Sequence, residues 1–146
     1  MKKHLLYLLV LPLLFCCSKD EQRRNTNPFL PDYSFSVDIN LSLPSYSNLN
    51  SAFNGQIIYP PNGGIKGLVV MKISDTDYRA WEAACPNQYP TENCSLMKIV
   101  DSDKINTICP CDNLKYSIAT GVGDGAPYTL KPYSVEVRGN MLRIYN

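Results

Sequence analysis

Across residues 34–43 apolar and polar side chains alternate strictly. Phe35, Val37, Ile39, Leu41 and Leu43 fall on one side of an extended chain, and Ser34, Ser36, Asp38, Asn40 and Ser42 fall on the other. A period of two marks a strand with one buried and one wet face. Residues 56–59 form a second, short candidate, closed by the turn cluster Pro60-Pro61-Asn62-Gly63-Gly64. Residues 67–73 make a continuous apolar run, which suits a buried strand. Residues 78–84 read as strand rather than helix, because Tyr78, Ala80 and Glu82 alternate with Arg79, Trp81 and Ala83 and lead directly into Cys85-Pro86. Two hairpins complete the pattern. Residues 96–100 and 105–108 flank the polar turn Asp101-Ser102-Asp103-Lys104, and residues 133–137 and 141–145 flank Arg138-Gly139-Asn140. No segment keeps a helical period over three turns and no internal repeat is visible, so the pattern predicts an all-β sandwich or barrel.

The first 31 residues follow another rule. Lys2 and Lys3 precede an apolar run from Leu5 to Phe15 that is too short to span a bilayer and reads as a signal peptide over residues 1–16. The run ends in Leu14-Phe15-Cys16-Cys17-Ser18, which resembles a bacterial lipobox, with Cys17 as the lipidated residue and Cys16 as the fallback. Ser18-Lys19-Asp20-Glu21 resembles the Lys-acidic signal that sends lipoproteins of the Bacteroidetes group to the cell surface. The expectation is therefore a cell-envelope protein, an outer membrane lipoprotein displayed at the surface, whose first partner is the membrane that its acyl chains enter. Residues 17–31 are polar, rich in Asn and Arg, and contain Pro28 and Pro31, the composition of a flexible tether. Residues 32–146 remain for one domain.

Charge and histidine content narrow the function. Loss of Lys2 and Lys3 from the fourteen Lys and Arg residues, against thirteen Asp and Glu, leaves the mature chain near −1, and no basic patch points to nucleic acid. The one histidine of the chain, His4, lies in the signal peptide. The mature chain therefore has no Ser-His-Asp or Cys-His pair, no His-ligated zinc and no imidazole base, and it reads as a non-enzyme.

Four cysteines fall in the domain. Cys85 sits in Ala84-Cys85-Pro86-Asn87, Cys94 follows, and Cys109 and Cys111 sit in Cys109-Pro110-Cys111-Asp112-Asn113-Leu114-Lys115-Tyr116. Downstream come Thr120-Gly121, Gly125-Ala126-Pro127, Leu130 and Tyr133. These boxes and the closing stretch resemble the Rieske [2Fe-2S] family over roughly residues 34–146. In that family Cys-x-His and Cys-x-x-His-Gly hold the two irons through two thiolates and two imidazoles. The resemblance implies an antiparallel β-sandwich carrying a small cysteine-bearing two-loop subdomain, with Cys85, Asn87, Cys109 and Asp112 at the cluster-ligand positions. Here Asn87 and Asp112 stand in place of both histidines and Asn113 in place of the glycine. An amide oxygen is a poor iron ligand and a carboxylate a moderate one, so no cofactor is favoured. The resemblance further implies a Cys94–Cys111 disulfide. Without a cluster, Cys85 and Cys109 would lie close enough to oxidise to a second one. Pairing Cys85 with Cys94 and Cys109 with Cys111 would need a strained Cys-x-Cys bridge, and a four-cysteine zinc site lacks the Cys-x-x-Cys knuckles.

Three functions follow as expectations. The first is a binding or structural module without a cluster, its protein or ligand partner unnamed by the sequence. The second is an electron carrier that keeps [2Fe-2S] through unusual ligands, and the third a subunit feeding a partner enzyme. Weaker signals carry blander readings. Gly121-Val122-Gly123-Asp124-Gly125 reads as a turn rather than a nucleotide loop, and Trp81 as core. Tyr46, Tyr59, Tyr89 and Tyr128 suit either a carbohydrate or partner surface or ordinary strands. Asp75 with Asp77, and Asp101 with Asp103, read as solvated turns rather than calcium ligands.

Overall fold

The computed structural model describes residues 27–146, so the expected signal peptide, Cys16, Cys17 and residues up to 26 of the expected tether lie outside the described residues. Among the described residues the strands are β1 (Ser36–Asn40), β2 (Gln56–Ile58), β3 (Leu68–Ser74), β4 (Asp77–Glu82), β5 (Lys98–Ile99), β6 (Asn106–Ile108), β7 (Lys115–Ser117), β8 (Pro132–Arg138) and β9 (Met141–Tyr145). A 3₁₀ helix occupies Pro44–Asn50. The strands form a six-stranded sheet in the order β1-β9-β8-β4-β3-β2 and a three-stranded sheet β5-β6-β7, antiparallel throughout.

The large sheet is joined at its middle only by Ala80↔Tyr133 and Trp81↔Pro132. Its two halves pack face to face there. Ile39, Leu142 and Ile144 of β1 and β9 meet Leu68, Val70 and Ala80 of β3 and β4, and Leu49 of the 3₁₀ helix joins the same cluster. The opposite faces of β3 and β4 build a second core in which Val69, Met71, Trp81 and Ala83 meet Cys85, Met97, Cys109, Tyr116, Ile118 and Leu130. Residues 68–71 of β3 are thus buried on both faces, which is why they form an unbroken apolar run while β1 alternates. Each such fully buried side chain stabilises the fold by roughly 1.5–3 kcal/mol, so β3 ties the sandwich to the cysteine-bearing part.

The all-β architecture with a small cysteine-bearing two-loop subdomain is the one observed, and the anticipated hairpins form as β5-β6 and β8-β9. The differences are local. The alternating strand stops at Asn40 and Leu43 is 47% exposed, because Pro44 opens the 3₁₀ helix. Arg138 pairs with Met141, so only Gly139 and Asn140 turn, with Gly139 at φ 58°. β7 begins at the end of the second cysteine box and is only three residues long, too short for its period to show.

Two glycines are required by geometry. Gly121 has φ 75°, and a Cβ there would stand 2.5 Å from the Trp81 ring. Trp81 is core, as expected, with its indole N–H donating to Ile118 O at 2.7 Å. Gly64, at φ 71°, lets the loop backbone approach Gly67 O and the Glu82 carboxylate.

Candidate functional site

Cys85 leaves the end of β4 and Cys109 the end of β6, so the two sheets present the cysteine loops side by side. The Cys85 N–H donates to Ser95 O at 2.7 Å and the Cys109 N–H to Leu114 O at 3.0 Å. Asn113, where the resemblance implies a glycine, adopts φ 60°. Asn tolerates that left-handed region better than most residues. Its N–H donates to Cys109 O at 2.8 Å, and Leu114 N–H donates to Asp112 Oδ1 at 3.0 Å.

Cys85 is bonded to Cys109 and Cys94 to Cys111, with Cα–Cα separations of 5.5 and 5.0 Å. The first pair is fully buried in the second core, whereas Cys94 is exposed and Cys111 half-buried. The Sγ atoms of Cys85, Cys109 and Cys111 all lie within 4.8 Å of one another, so the two disulfides lie side by side.

Asn87 and Asp112 also meet across the loops. Asn87 Nδ2 donates to Asp112 Oδ2 at 3.1 Å and to the Tyr116 hydroxyl at 2.8 Å, while Asn87 Oδ1 is buried without a donor. An ionised carboxylate only accepts, which fixes the amide with its NH₂ toward Asp112. Burial, and secondly the Asp112 charge, push the Tyr116 phenol up to about 12 against the opposing Asn87 hydrogen bond. Cys85 and Cys109 are thus joined covalently, and Asn87 and Asp112 by a hydrogen bond.

No family model and no curated protein sequence matches the chain. It is similar to a Rieske protein. One match is the cyanobacterial plasma membrane Rieske protein PetC3 from Synechocystis PCC 6803, at 19% identity over 62% of this chain and 85% of that chain, with a TM-score of 0.46. Cys85, Asn87, Cys109 and Asp112, the residues that the resemblance implies as ligands, do not fit a [2Fe-2S] cluster. Sulfurs bonded to each other are not thiolates, and the free Oδ1 of Asn87 is an amide oxygen, a poor iron ligand in place of an imidazole nitrogen.

A buried carboxylate went unnoticed in the sequence because Glu82 looked like one polar position of an alternating strand. It is fully buried and accepts from the N–H groups of Ile65, Lys66 and Ala84 at 2.6, 2.9 and 2.9 Å and from the Tyr133 hydroxyl at 2.6 Å. This satisfies the charge and clasps the loop after Gly64 to the sheet. Lys131, 2% exposed, donates to Pro31 O at 2.9 Å and Asp32 Oδ1 at 2.6 Å.

The last residues of the expected tether are packed rather than free. Asn27 Nδ2 donates to Pro86 O at 2.6 Å, and the Phe29 ring meets Tyr89 and Tyr128 edge-on at 5.1 and 5.9 Å. The chain thus enters the domain beside the first cysteine loop. The carboxylates considered for calcium hold other partners: Asp75 pairs with Lys72, Asp77 with Arg79, Asp101 with Lys104 and Asp103 with Lys115. The glycine-rich segment is a turn, with Gly121 and Gly125 at φ 75° and 67°. Tyr59 and Tyr89 are exposed and Tyr46 and Tyr128 half-buried, and Tyr89 and Tyr128 share the Phe29 ring.

Proposed function

We propose that this chain is a membrane-anchored lipoprotein whose Rieske-like domain has exchanged its iron-sulfur cluster for a disulfide and serves as a binding or structural module of the cell envelope. One observation carries the reading: the two cysteines that the resemblance implies as cluster ligands are bonded to each other, and Asn87 hydrogen-bonds to Asp112 and Tyr116. Anchoring through Cys17 rests on the lipobox-like Leu14-Phe15-Cys16-Cys17-Ser18.

Anaerobic incubation with iron, sulfide and a reductant tests the cofactor half of the reading. The expected result is no stoichiometric iron and no reduced-state EPR signal. A brown protein with two irons per chain would replace this reading with an electron carrier that uses unusual ligands. Metabolic labelling with palmitate tests the anchor: label on the wild-type chain and none on Cys17→Ser is expected, and an unlabelled wild type would overturn it.

A further inference from the structure

We propose that the four cysteines form a thiol–disulfide exchange relay, in which the exposed Cys94–Cys111 bond carries two electrons from an external dithiol into the buried Cys85–Cys109 bond. The inference rests on the cluster-free reading above. Its geometry is the proximity of the two bonds: Cys111 Sγ lies within 4.8 Å of both Cys85 Sγ and Cys109 Sγ. Exposure is graded along the same line. Cys94 is open to solvent, Cys111 is half-buried, and Cys85 and Cys109 are 0% exposed. A dissolved thiol reaches the outer bond and not the inner one. Exchange requires a thiolate beside a disulfide sulfur, and opening the outer bond places one there.

The steps balance as follows. One thiolate of the external dithiol attacks Cys94 Sγ, a mixed disulfide forms, and Cys111 leaves as thiolate. The second thiol of the dithiol attacks its own sulfur in that mixed bond and departs as the oxidised dithiol, leaving Cys94 as thiolate. Cys111 then attacks Cys85 Sγ. A Cys85–Cys111 bond forms and Cys109 leaves as thiolate, protonated from solvent; attack on Cys109 would instead close the strained Cys-x-Cys ring. Finally Cys94 attacks Cys111 Sγ, which restores the outer bond and releases Cys85 as thiolate, protonated likewise. The sum is one dithiol oxidised and the inner bond reduced. The substrate class is accordingly a small dithiol or a protein with a reduced Cys-x-x-Cys site, met outside the cytoplasm.

The purified mature chain is treated with dithiothreitol, quenched in acid, alkylated and mapped by peptide mass spectrometry. In Cys94→Ser, Cys111 lacks its partner, and the relay predicts a Cys85–Cys111 cross-link with Cys109 alkylated in a substantial fraction of molecules. Only Cys85–Cys109, with Cys111 alone alkylated, would overturn the relay. A second measurement does not depend on that variant folding. Under limiting dithiothreitol, the inner bond of the wild type should be reduced at least tenfold faster than in the Cys94→Ser/Cys111→Ser double variant. Equal or slower reduction of the wild type would overturn the proposal. If the underlying cluster-free reading were wrong, the untreated wild type would show no Cys85–Cys109 cross-link at all, an outcome distinct from intact cross-links that fail to exchange.

Discussion

Replacing Cys85 and Cys109 together by alanine removes one of two interleaved covalent links, and the cost follows from the circuit that remains. Taken alone, a bond with sequence separation 24 would constrain the unfolded chain by about 3.5 kcal/mol in the chain-entropy treatment. With Cys94–Cys111 in place, the open path runs only from Cys85 to Cys94 and from Cys109 to Cys111, ~12 residues, and the value falls to about 3 kcal/mol. The same residual path governs loss of Cys94–Cys111, so the two bonds contribute nearly equal entropy despite separations of 24 and 17. Packing distinguishes them. Cys85 and Cys109 are fully buried, and trimming them costs ~1 kcal/mol more, whereas Cys94 is exposed. At an unfolding entropy near ~2.1 cal/mol/K per residue over ~120 residues, Tm should fall by about 16 °C for Cys85→Ala/Cys109→Ala and about 12 °C for Cys94→Ala/Cys111→Ala. The quadruple variant should lose ~7 kcal/mol, close to the whole stability of many domains. Scanning calorimetry of the four proteins measures this series. A buried-pair variant melting within a few degrees of wild type, or a quadruple variant no worse than the doubles, would refute the reasoning.

Further outcomes follow from other contacts. Tyr133→Phe removes the hydroxyl donor from buried Glu82 while its three backbone donors stay, and should cost about 1.5–3 kcal/mol in urea denaturation with an unchanged m-value. Gly121→Ala combines a left-handed backbone with a Cβ 2.5 Å from the Trp81 ring and should cost ~3 kcal/mol. Gly125→Ala, also left-handed but with nothing within 4 Å, should cost only ~1 kcal/mol in the same thermal assay. The Tyr116 phenol, raised to about 12 by burial and then by Asp112, stays neutral in the fold after the unfolded chain's phenol has ionised. Its contribution to stability is therefore complete below pH ~10 and is lost as the pH climbs toward 12. Ultraviolet difference titration should show Asp112→Asn moving that phenol down toward the ordinary value.

The strands were legible wherever one physical signal dominated. The alternation through Ile39 and Leu41 and the unbroken run Leu68-Val69-Val70-Met71 translate directly into one-sided and two-sided burial. The cysteine boxes were legible as a resemblance, and the missing histidines could be read off a chain whose one histidine is His4. Long-range polar geometry was not. Glu82 meets Tyr133 across 51 positions of sequence and Lys131 meets Asp32 across 99, and neither local periodicity nor spacing encodes such a partner. β7 was hidden for the opposite reason: three residues, Lys115–Ser117, give too few alternations to stand out beside the loop that precedes them. Docking of Phe29 against Tyr89 and Tyr128 was likewise invisible, because Pro28 and Pro31 give the segment the composition of a linker while its aromatic partners lie far along the chain.

Intact mass under non-reducing, denaturing conditions, with iron measured on the same sample, tests the exchange of cluster for disulfide most directly. Two bonds, Cys85–Cys109 and Cys94–Cys111, predict a chain lighter than its fully reduced form by the mass of four hydrogens, with no iron. A chain lighter by only two hydrogens, with two irons per molecule, would contradict it.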